Sequence, residues 1–365
     1  MNLFEKAKIL NESGMYDSCG PKACDVKIRE GLGGVYHARS EHRDCKLFKT
    51  LMDNSCSFDC KYCSNAKGCS KKKASYTPQE VGTLFNYLVK SYGVHGLFLS
   101  SGVGKDPDTT TEKMIEAVKI IRFKHRFRGY IHFKVLPGTS QHLIKYASGF
   151  SNRMSINIEA PNKSIMSELS SCKDYKIDIL RRQSWISKLN LNNGQSTQII
   201  VNNISSDKEI IKMMKWEYDA FNLRRIYFSA FRPVPGTPMQ NEKACADWRQ
   251  NHLYNTEFLM RQYNYTPKDF SLIMENGMLP YEDPKMAIAK ATFDSPLDIN
   301  EASFEELIRV PGIGPRTAEK IIERTKTQGK KITKYEQLHQ MGGWIKRAKP
   351  FIEVDGKRQK MLCEF

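Results

Sequence analysis

The sequence predicts an α/β protein, a partial (β/α)6 TIM-type barrel followed by a small all-α domain, and three observations carry that expectation. Six strand-like segments alternate with amphipathic helical ones at about 30 residues per unit between positions 46 and 231. Parallel neighbours need helical crossovers of that kind. The count is six where a closed barrel needs eight, so the barrel is open on one side. From Pro296 onward the alternation gives way to short helices and glycine turns.

Residues 1–45, with glycines at 31, 33 and 34, read as an N-terminal extension without a clear place in the fold. The barrel, 46–239, opens with the strand-like "CKLFKTLM". After a cysteine-bearing loop, "SYTPQEVGTLFNYLVKSY" reads as a helix with a well-marked start. Thr77 suits the N-cap, Pro78 the first helical position, and Glu80 completes a capping box. "HGLFLSS" (95–101), "YIHFKVL" (130–136), "RMSINIE" (153–159), "TQIIVNN" (197–203) and "RRIYFSAF" (224–231) supply the other strands. Beyond "FRPVPGTPM" the pattern stops. Residues 240–295 read as a helical linker region, with a long helix over 240–263, and 296–365 as the terminal domain.

In such barrels the loops that follow the strands share one face, where chemistry collects. The cysteine loop follows the first strand and so lies on that face.

A chain of 365 residues has room for about two domains. Lysine and arginine outnumber the acids by 57 to 40, a net +17 that favours polyanions, nucleic acid first. The start "MNLFEKAKIL" has charges where a signal peptide needs an apolar core, and no stretch approaches the ~18 apolar residues of a spanning helix. A cytoplasmic protein with no membrane partner is expected. Ten cysteines in that compartment read as thiols, metal ligands or catalytic groups before disulfides.

"CSFDCKYC" places Cys56, Cys60 and Cys63 at intervals of four and three. A four-iron cluster in an electron carrier takes four thiolates, so a loop that supplies three leaves one iron open to a ligand. With Cys69 as a fourth ligand, an all-cysteine zinc site or a ferredoxin-like cluster stays open as a reading. Cys172, Cys245 and Cys363 read as bystanders. Cys19, Cys24 and Cys45, with His37 and His42 between them, match no motif spacing and leave a second metal site undecided.

Other strand ends carry polar groups. Ser100, Ser101 and Gly102 end the second strand, where glycine lets backbone approach a ligand and serine oxygens accept from an ammonium. Asn157 and Glu159 end the fourth, suited to ribose hydroxyls. His132, Lys134 and Arg232 are further candidates to face the mouth. No catalytic hydrogen donor stands out.

In "DINEASFEELIRVPGIGPRTAEKIIERT", Asn300 is expected to cap a short helix, "PGIG" to form a tight hairpin and Pro315 to start the next helix. Gly312 and Gly314 would let amides crowd at a helix N-terminus, an anion site. "YEQLHQMGGWIKRAKPF" reads as a degenerate second copy, its "MGGW" turn a doubtful phosphate binder. Residues 309–360 hold 14 basic residues against 5 acids. The plainer alternative is a protein-docking module with a solvated basic face.

These motifs carry three resemblances. The cysteine loop, with Tyr62 before its last cysteine, resembles that of the radical S-adenosylmethionine superfamily. This implies a [4Fe-4S] cluster on Cys56, Cys60 and Cys63, with S-adenosylmethionine held by Tyr62, Ser100, Ser101, Gly102, Asn157 and Glu159. The terminal unit resembles a helix-hairpin-helix motif, which implies DNA phosphate binding without base reading, through Gly312, Ile313, Gly314, Arg316, Thr317 and Lys320. Taken together, "KAKILNESGMYDSC", "DCKLFKTLMDNSCSFDCKYCSN", "GLFLSSGV", "GYIHFKVLPG", "MSINIE", "NHLYNTEFLMRQY", "DPK" and "VPGIG" are similar to the prokaryotic family of DNA modification or repair radical S-adenosylmethionine proteins. That resemblance implies a DNA substrate, a uracil-DNA-glycosylase-like partner protein and an external electron donor. The chain departs from the family at "VNNISSD", where a glycine turn is usual; Asn202 and Asn203 tolerate the left-handed backbone such a turn uses. Rival readings are a radical S-adenosylmethionine enzyme modifying RNA and a non-catalytic iron-sulfur DNA-binding protein.

Overall fold

The computed structural model describes residues 1–15, 24–25, 33–39 and 44–356. It resolves into two compact units, Met1–Ser205 with Trp216–Gln250, and Ser206–Lys215 with Asn251–Phe365.

The first unit is built on one eight-stranded sheet whose strands follow in chain order. β1 (Cys24–Asp25) and β2 (Val35–Arg39) are antiparallel to each other, and β2 is antiparallel to β3 (Asp44–Leu51). From β3 the ladder is parallel through β4 (Gly96–Ser100), β5 (Tyr130–Lys134), β6 (Arg153–Ser155), β7 (Gln195–Val201) and β8 (Arg225–Ala230). These are the six expected strands of the partial barrel. The extension adds two more, which cover the β3 edge that a six-stranded sheet would leave unpaired.

Central strands have no solvated face, and β4 and β7 are buried along their whole length. β6 is the short one: past Ser155 its chain leaves the ladder, is tied to β7 through Thr197 Oγ1, which donates to Ile156 O at 2.8 Å and accepts from Ile158 N at 3.0 Å, and pairs again at the Glu159–Ile199 bridge.

The crossovers are helical: α1 (Leu3–Ser13) precedes the sheet, α2 (Pro78–Tyr92), α3 (Pro107–Lys119) and α4 (Gln141–Ser148) follow β3, β4 and β5, and α5 (Lys163–Leu169) and α6 (Arg181–Ser187) both follow β6. The start of α2 forms as its sequence requires. Thr77 Oγ1 accepts from Glu80 N at 3.2 Å and the Glu80 carboxylate accepts from Thr77 N at 2.7 Å. α7 (Asp207–Phe221) follows β7.

The long helix expected over 240–263 is α8 (Asp247–Tyr263), and it starts seven residues late. The reason is that Cys245 N is already committed to Phe231 O, at 2.9 Å, which holds the preceding segment against the end of β8.

The turn after β7 also differs from expectation. Neither Asn202 nor Asn203 takes a left-handed backbone. Asn202 Oδ1 instead accepts from Ile204 N and Ser205 N, at 3.2 and 3.1 Å, and closes the turn with its side chain.

In the second unit come α9 (Pro267–Ser271), α10 (Pro284–Thr292), β9 (Leu297–Asp298), α11 (Phe304–Arg309), α12 (Pro315–Ile322), α13 (Tyr335–Gln340), α14 (Ile345–Ala348) and β10 (Ile352–Glu353). The two-residue β9 and β10 pair in parallel. Ile299, Leu307, Val310, Ile321 and Leu338 form a fully buried core between the helical hairpins.

Asn300 does not cap α11; Ser303 does, with Glu306 completing a capping box. Asn300 is three residues too early for that work, and it bridges the two hairpins by donating to Ile332 O at 3.1 Å and accepting from Ile332 N at 2.7 Å. Among the described residues, no helix is long and apolar enough to cross a membrane.

Candidate functional site

The cysteine loop leaves the C-terminal end of β3, and backbone pairing continues past the strand to fix its base. Met52 N donates to Ser100 O and Gly102 N to Asp53 O, both at 2.7 Å. Buried Asn54 cinches the far side by accepting from Ala74 N at 2.7 Å and donating to Lys72 O at 2.9 Å.

Asp59, midway along the loop, ties it to a segment over a hundred residues away. Its carboxylate accepts from Ser170 Oγ at 2.6 Å, Ser171 N at 3.0 Å and Cys172 N at 3.2 Å. Partial burial works against the charge, but these bonds prevail and hold the carboxyl well below its usual range.

Cys56, Cys60 and Cys63 line one cavity at the barrel mouth. Tyr62, Ser100, Ser101, Gly102, Asn157 and Glu159 line it as well. Two backbone amides are aimed at sulfur: Val103 N reaches Cys56 Sγ and Asn65 N reaches Cys63 Sγ, each at 3.4 Å. Burial pushes the Cys56 thiol up, and burial with the neighbouring Cys60 pushes Cys63 up to about 12. Such thiols are poor nucleophiles at neutral pH, whereas coordination to a cation deprotonates a thiol outright. The donor set therefore fits a thiolate-ligated metal group: three soft ligands on one loop, amide donors already directed at two of them, and an open cavity on the remaining side.

Cys69 takes another direction. Its Sγ bonds to Cys63 O at 3.5 Å and Gly236 O at 3.4 Å, and it lines a separate small cavity beside Ser70 and Gly236. Among the described residues, no three His, Cys, Asp or Glu side chains are grouped so as to hold a single ion. Cys172 is exposed and Cys245 buried, and neither lines the mouth cavity. Cys19, His42, Cys363 and the Cys24 side chain lie outside the described residues.

Gly102 is required for a reason the sequence does not reveal. A Cβ there would stand 2.4 Å from Ser55 O and 3.2 Å from Asp53 O, so the glycine makes room for the backbone of the cysteine loop. Glu159 carries a left-handed backbone, φ 61°, rare for a residue of this kind and a mark of functional sites.

Lys134 is buried and donates to Asn157 Oδ1 across the mouth. Arg232 lines the cavity and pairs with Asp247. His132 does not reach the cavity. It is buried between Phe98 and Ser155, with Nε2 2.8 Å from Ser155 Oγ, and burial drives its pKa well below the usual value.

Lys173 and Gln198 also line the cavity and were not anticipated. Burial alone would lower the Lys173 pKa, but Cys60, Glu159 and Cys63 around it raise it, so it stands as a fixed positive charge beside the sulfurs. Its loop has no motif; it arrives there because Asp59 holds residues 170–172.

In the second unit both hairpins form. Gly312 has φ +88°, and a Cβ there would meet Trp344 O at 2.4 Å, while Trp344 N donates to Gly312 O at 2.8 Å. The first hairpin is thus interlocked with the second, main chain to main chain. The first intrahelical bond of α12 runs from Ala318 N to Gly314 O, which leaves the amides of Arg316 and Thr317 without an intrahelical partner. Arg316 and Lys320 are exposed. Ile313 and Thr317 turn their side chains inward, so only their main chain is available to a phosphate.

The helix-hairpin-helix motif family matches residues 294–344. No curated protein matches the sequence closely enough to serve as a relative. Among solved structures, methylornithine synthase aligns over 59% of this chain and 61% of its own, at 13% identity and a TM-score of 0.50. The FeFe-hydrogenase maturase HydG from Carboxydothermus hydrogenoformans aligns over 60% and 52%, at 12% and 0.49. Coproporphyrinogen III oxidase from Escherichia coli, a radical SAM enzyme, aligns over 59% and 52%, at 14% and 0.41. The chain spans about three fifths of the length of methylornithine synthase. The likeness is one of fold: the first unit has an open, partial TIM-type barrel, as methylornithine synthase does.

Proposed function

We propose that this protein is a radical S-adenosylmethionine enzyme that acts on DNA, in repair or modification. The observation that carries the reading is the convergence of Cys56, Cys60 and Cys63 on the mouth cavity while Cys69 points elsewhere. In this reading the three thiols hold a [4Fe-4S] cluster. Tyr62, Ser100, Ser101, Gly102, Asn157 and Glu159 hold S-adenosylmethionine.

When bound, the pair supplies reductive cleavage of a carbon–sulfur bond to a 5′-deoxyadenosyl radical, with an external donor providing the electron. The chain's own part is positional. The amides of Val103 and Asn65 stabilise negative charge on Cys56 and Cys63. Lys173 places a cation beside them. Lys134 orients Asn157.

DNA enters through the second unit, where the bare amides at the start of α12, with Arg316 and Lys320, suit phosphate contacts that set position without reading sequence. A target base in a duplex has to be extruded or met in single-stranded form. A cytoplasmic location and a uracil-DNA-glycosylase-like partner belong to the same proposal.

The test is anaerobic reconstitution followed by reduction with S-adenosylmethionine, with and without DNA oligonucleotides. Near four irons per chain and 5′-deoxyadenosine formation stimulated by DNA are expected. A single zinc per chain, or a cluster that yields no 5′-deoxyadenosine, refutes the enzyme reading, the latter in favour of a non-catalytic iron-sulfur DNA-binding protein. Stimulation by structured RNA and not by DNA, with matching preference in binding at fixed salt, moves the substrate to RNA.

A further inference from the structure

The second unit contains a cavity of about 260 Å³ at the first hairpin, and nothing in the barrel chemistry accounts for it. Its lining includes Gly312, Ile313 and Gly314 of the hairpin turn and the aromatic residues Phe258, Tyr263 and Trp344. Trp344 is 60% exposed and Phe258 43%.

Trp344 is nevertheless held in place. Its amide bonds to Gly312 O at 2.8 Å, and the Arg347 guanidinium lies over its ring, 5.4 Å from the centroid. Opposite, Lys285 Nζ donates to Ile313 O at 2.7 Å and sits 4.4 Å from the Tyr263 ring centroid. The one acid in the lining, Asp283, is neutralised by Arg347 at 2.7 Å and accepts from Met286 N at 3.1 Å. The cavity thus combines aromatic side chains with Lys285 and an Arg347–Asp283 ion pair, and Gly314, the N-cap of α12, is part of its lining.

Its volume is below the ~300–1,000 Å³ of sites that enclose drug-sized ligands. That leaves room for one planar ring system and none for a duplex. Burial, and after it the charge of Arg347, lowers the Lys285 pKa to about 7, so an anion at the rim is also what would restore a full charge there.

We infer that this cavity is a binding site for a single unstacked nucleotide of DNA, its base against Trp344 and its phosphate at the start of α12. The inference rests on the proposed DNA reading and deepens it. The hairpin unit then does more than grip a duplex by its phosphates; it captures a nucleotide that has left the stack, in a single strand or at an unpaired position. Aromatic stacking is tolerant of base identity, so discrimination is expected between stacked and unstacked DNA and not between sequences.

The experiment uses the full chain in fluorescence anisotropy at fixed salt, with three probes of equal length: a single strand, a matched duplex, and a duplex carrying one unpaired 2-aminopurine. Wild-type protein is expected to prefer the single strand and the unpaired probe and to quench the 2-aminopurine. Trp344→Ala should weaken those two by about 5- to 100-fold, the range for losing one base–aromatic stack, and leave the matched duplex within about twofold. Trp344→Phe should retain most of the preference, which separates stacking from loss of fold, and an unchanged melting temperature for both variants secures the comparison. Equal weakening of all three probes by Trp344→Ala, or no change in any, overturns the nucleotide site while leaving the DNA reading intact. Absence of wild-type binding to every probe at low salt overturns both.

Discussion

Replacing Gly102 by alanine should damage the cysteine loop without touching a sulfur. The added Cβ would lie 2.4 Å from Ser55 O, where ordinary contact begins at about 3.4 Å, so roughly 1 Å must open between two backbones. Neither side yields easily, because Gly102 N is bonded to Asp53 O at 2.7 Å in the same direction. Gly102 is not in the left-handed region, so the effect is steric and carries no dihedral penalty. Overpacking of this kind costs about 1–3 kcal/mol, and the stretched hydrogen bond about 0.5–1.5 kcal/mol more. The sum, about 1.5–4.5 kcal/mol, corresponds to a fall on the order of 3–18 °C in the melting temperature of a unit this size. The assay is a thermal melt of the metal-free protein, together with iron bound per chain after anaerobic reconstitution. Gly104→Ala is the control. Its Cβ would meet only Thr110 Oγ1, at 3.6 Å, and it should melt within about 0.5 kcal/mol of wild type. If Gly102→Ala matches wild type in both melt and iron content, the steric argument is wrong.

Cys69→Ala should leave iron incorporation unchanged, while alanine at Cys56, Cys60 or Cys63 should sharply reduce it; iron and sulfide assays on reconstituted protein decide, and loss of iron in the Cys69 variant would make it a ligand. Lys173→Met removes a positive charge beside the sulfurs, so the cluster potential should become more negative, as read by an EPR-monitored redox titration at unchanged iron content. An unmoved potential would remove Lys173 from the site's electrostatics. Glu217, fully buried and bonded by Gln183 Nε2 at 2.8 Å, is pushed up to about 8 by burial. The folded state therefore holds a proton that the unfolded chain has released above about pH 4.3. Its stability contribution is complete below that pH and is lost as pH rises through about 8. Glu217→Gln should match wild type in urea melts near pH 5 and exceed it by up to a few kcal/mol near pH 9, and parallel pH profiles for the two proteins would contradict the assignment.

What the sequence determined by itself were the features written in short-range pattern. The alternation of β and α periods set the six parallel strands. Thr77, Pro78 and Glu80 set the start of α2, and the four-and-three spacing placed three cysteines on one loop. Each of these depends on neighbours within a turn or two of chain, so the residues present are enough to specify it. Tertiary structure decided everything that joins distant segments. Asp59 finds its donors 111 to 113 residues away and thereby delivers Lys173 to the sulfurs. Gly102 makes room for Ser55 and Gly312 for Trp344, where the sequence suggested ligands for both. Asn300 bridges two hairpins in place of capping a helix, and His132 is enclosed by β4 and β6 neighbours in place of facing the mouth. In each case the residue type was visible but its partner was not, because a hydrogen-bonding group or a missing Cβ records that a contact is possible and only the packed chain selects which atoms make it.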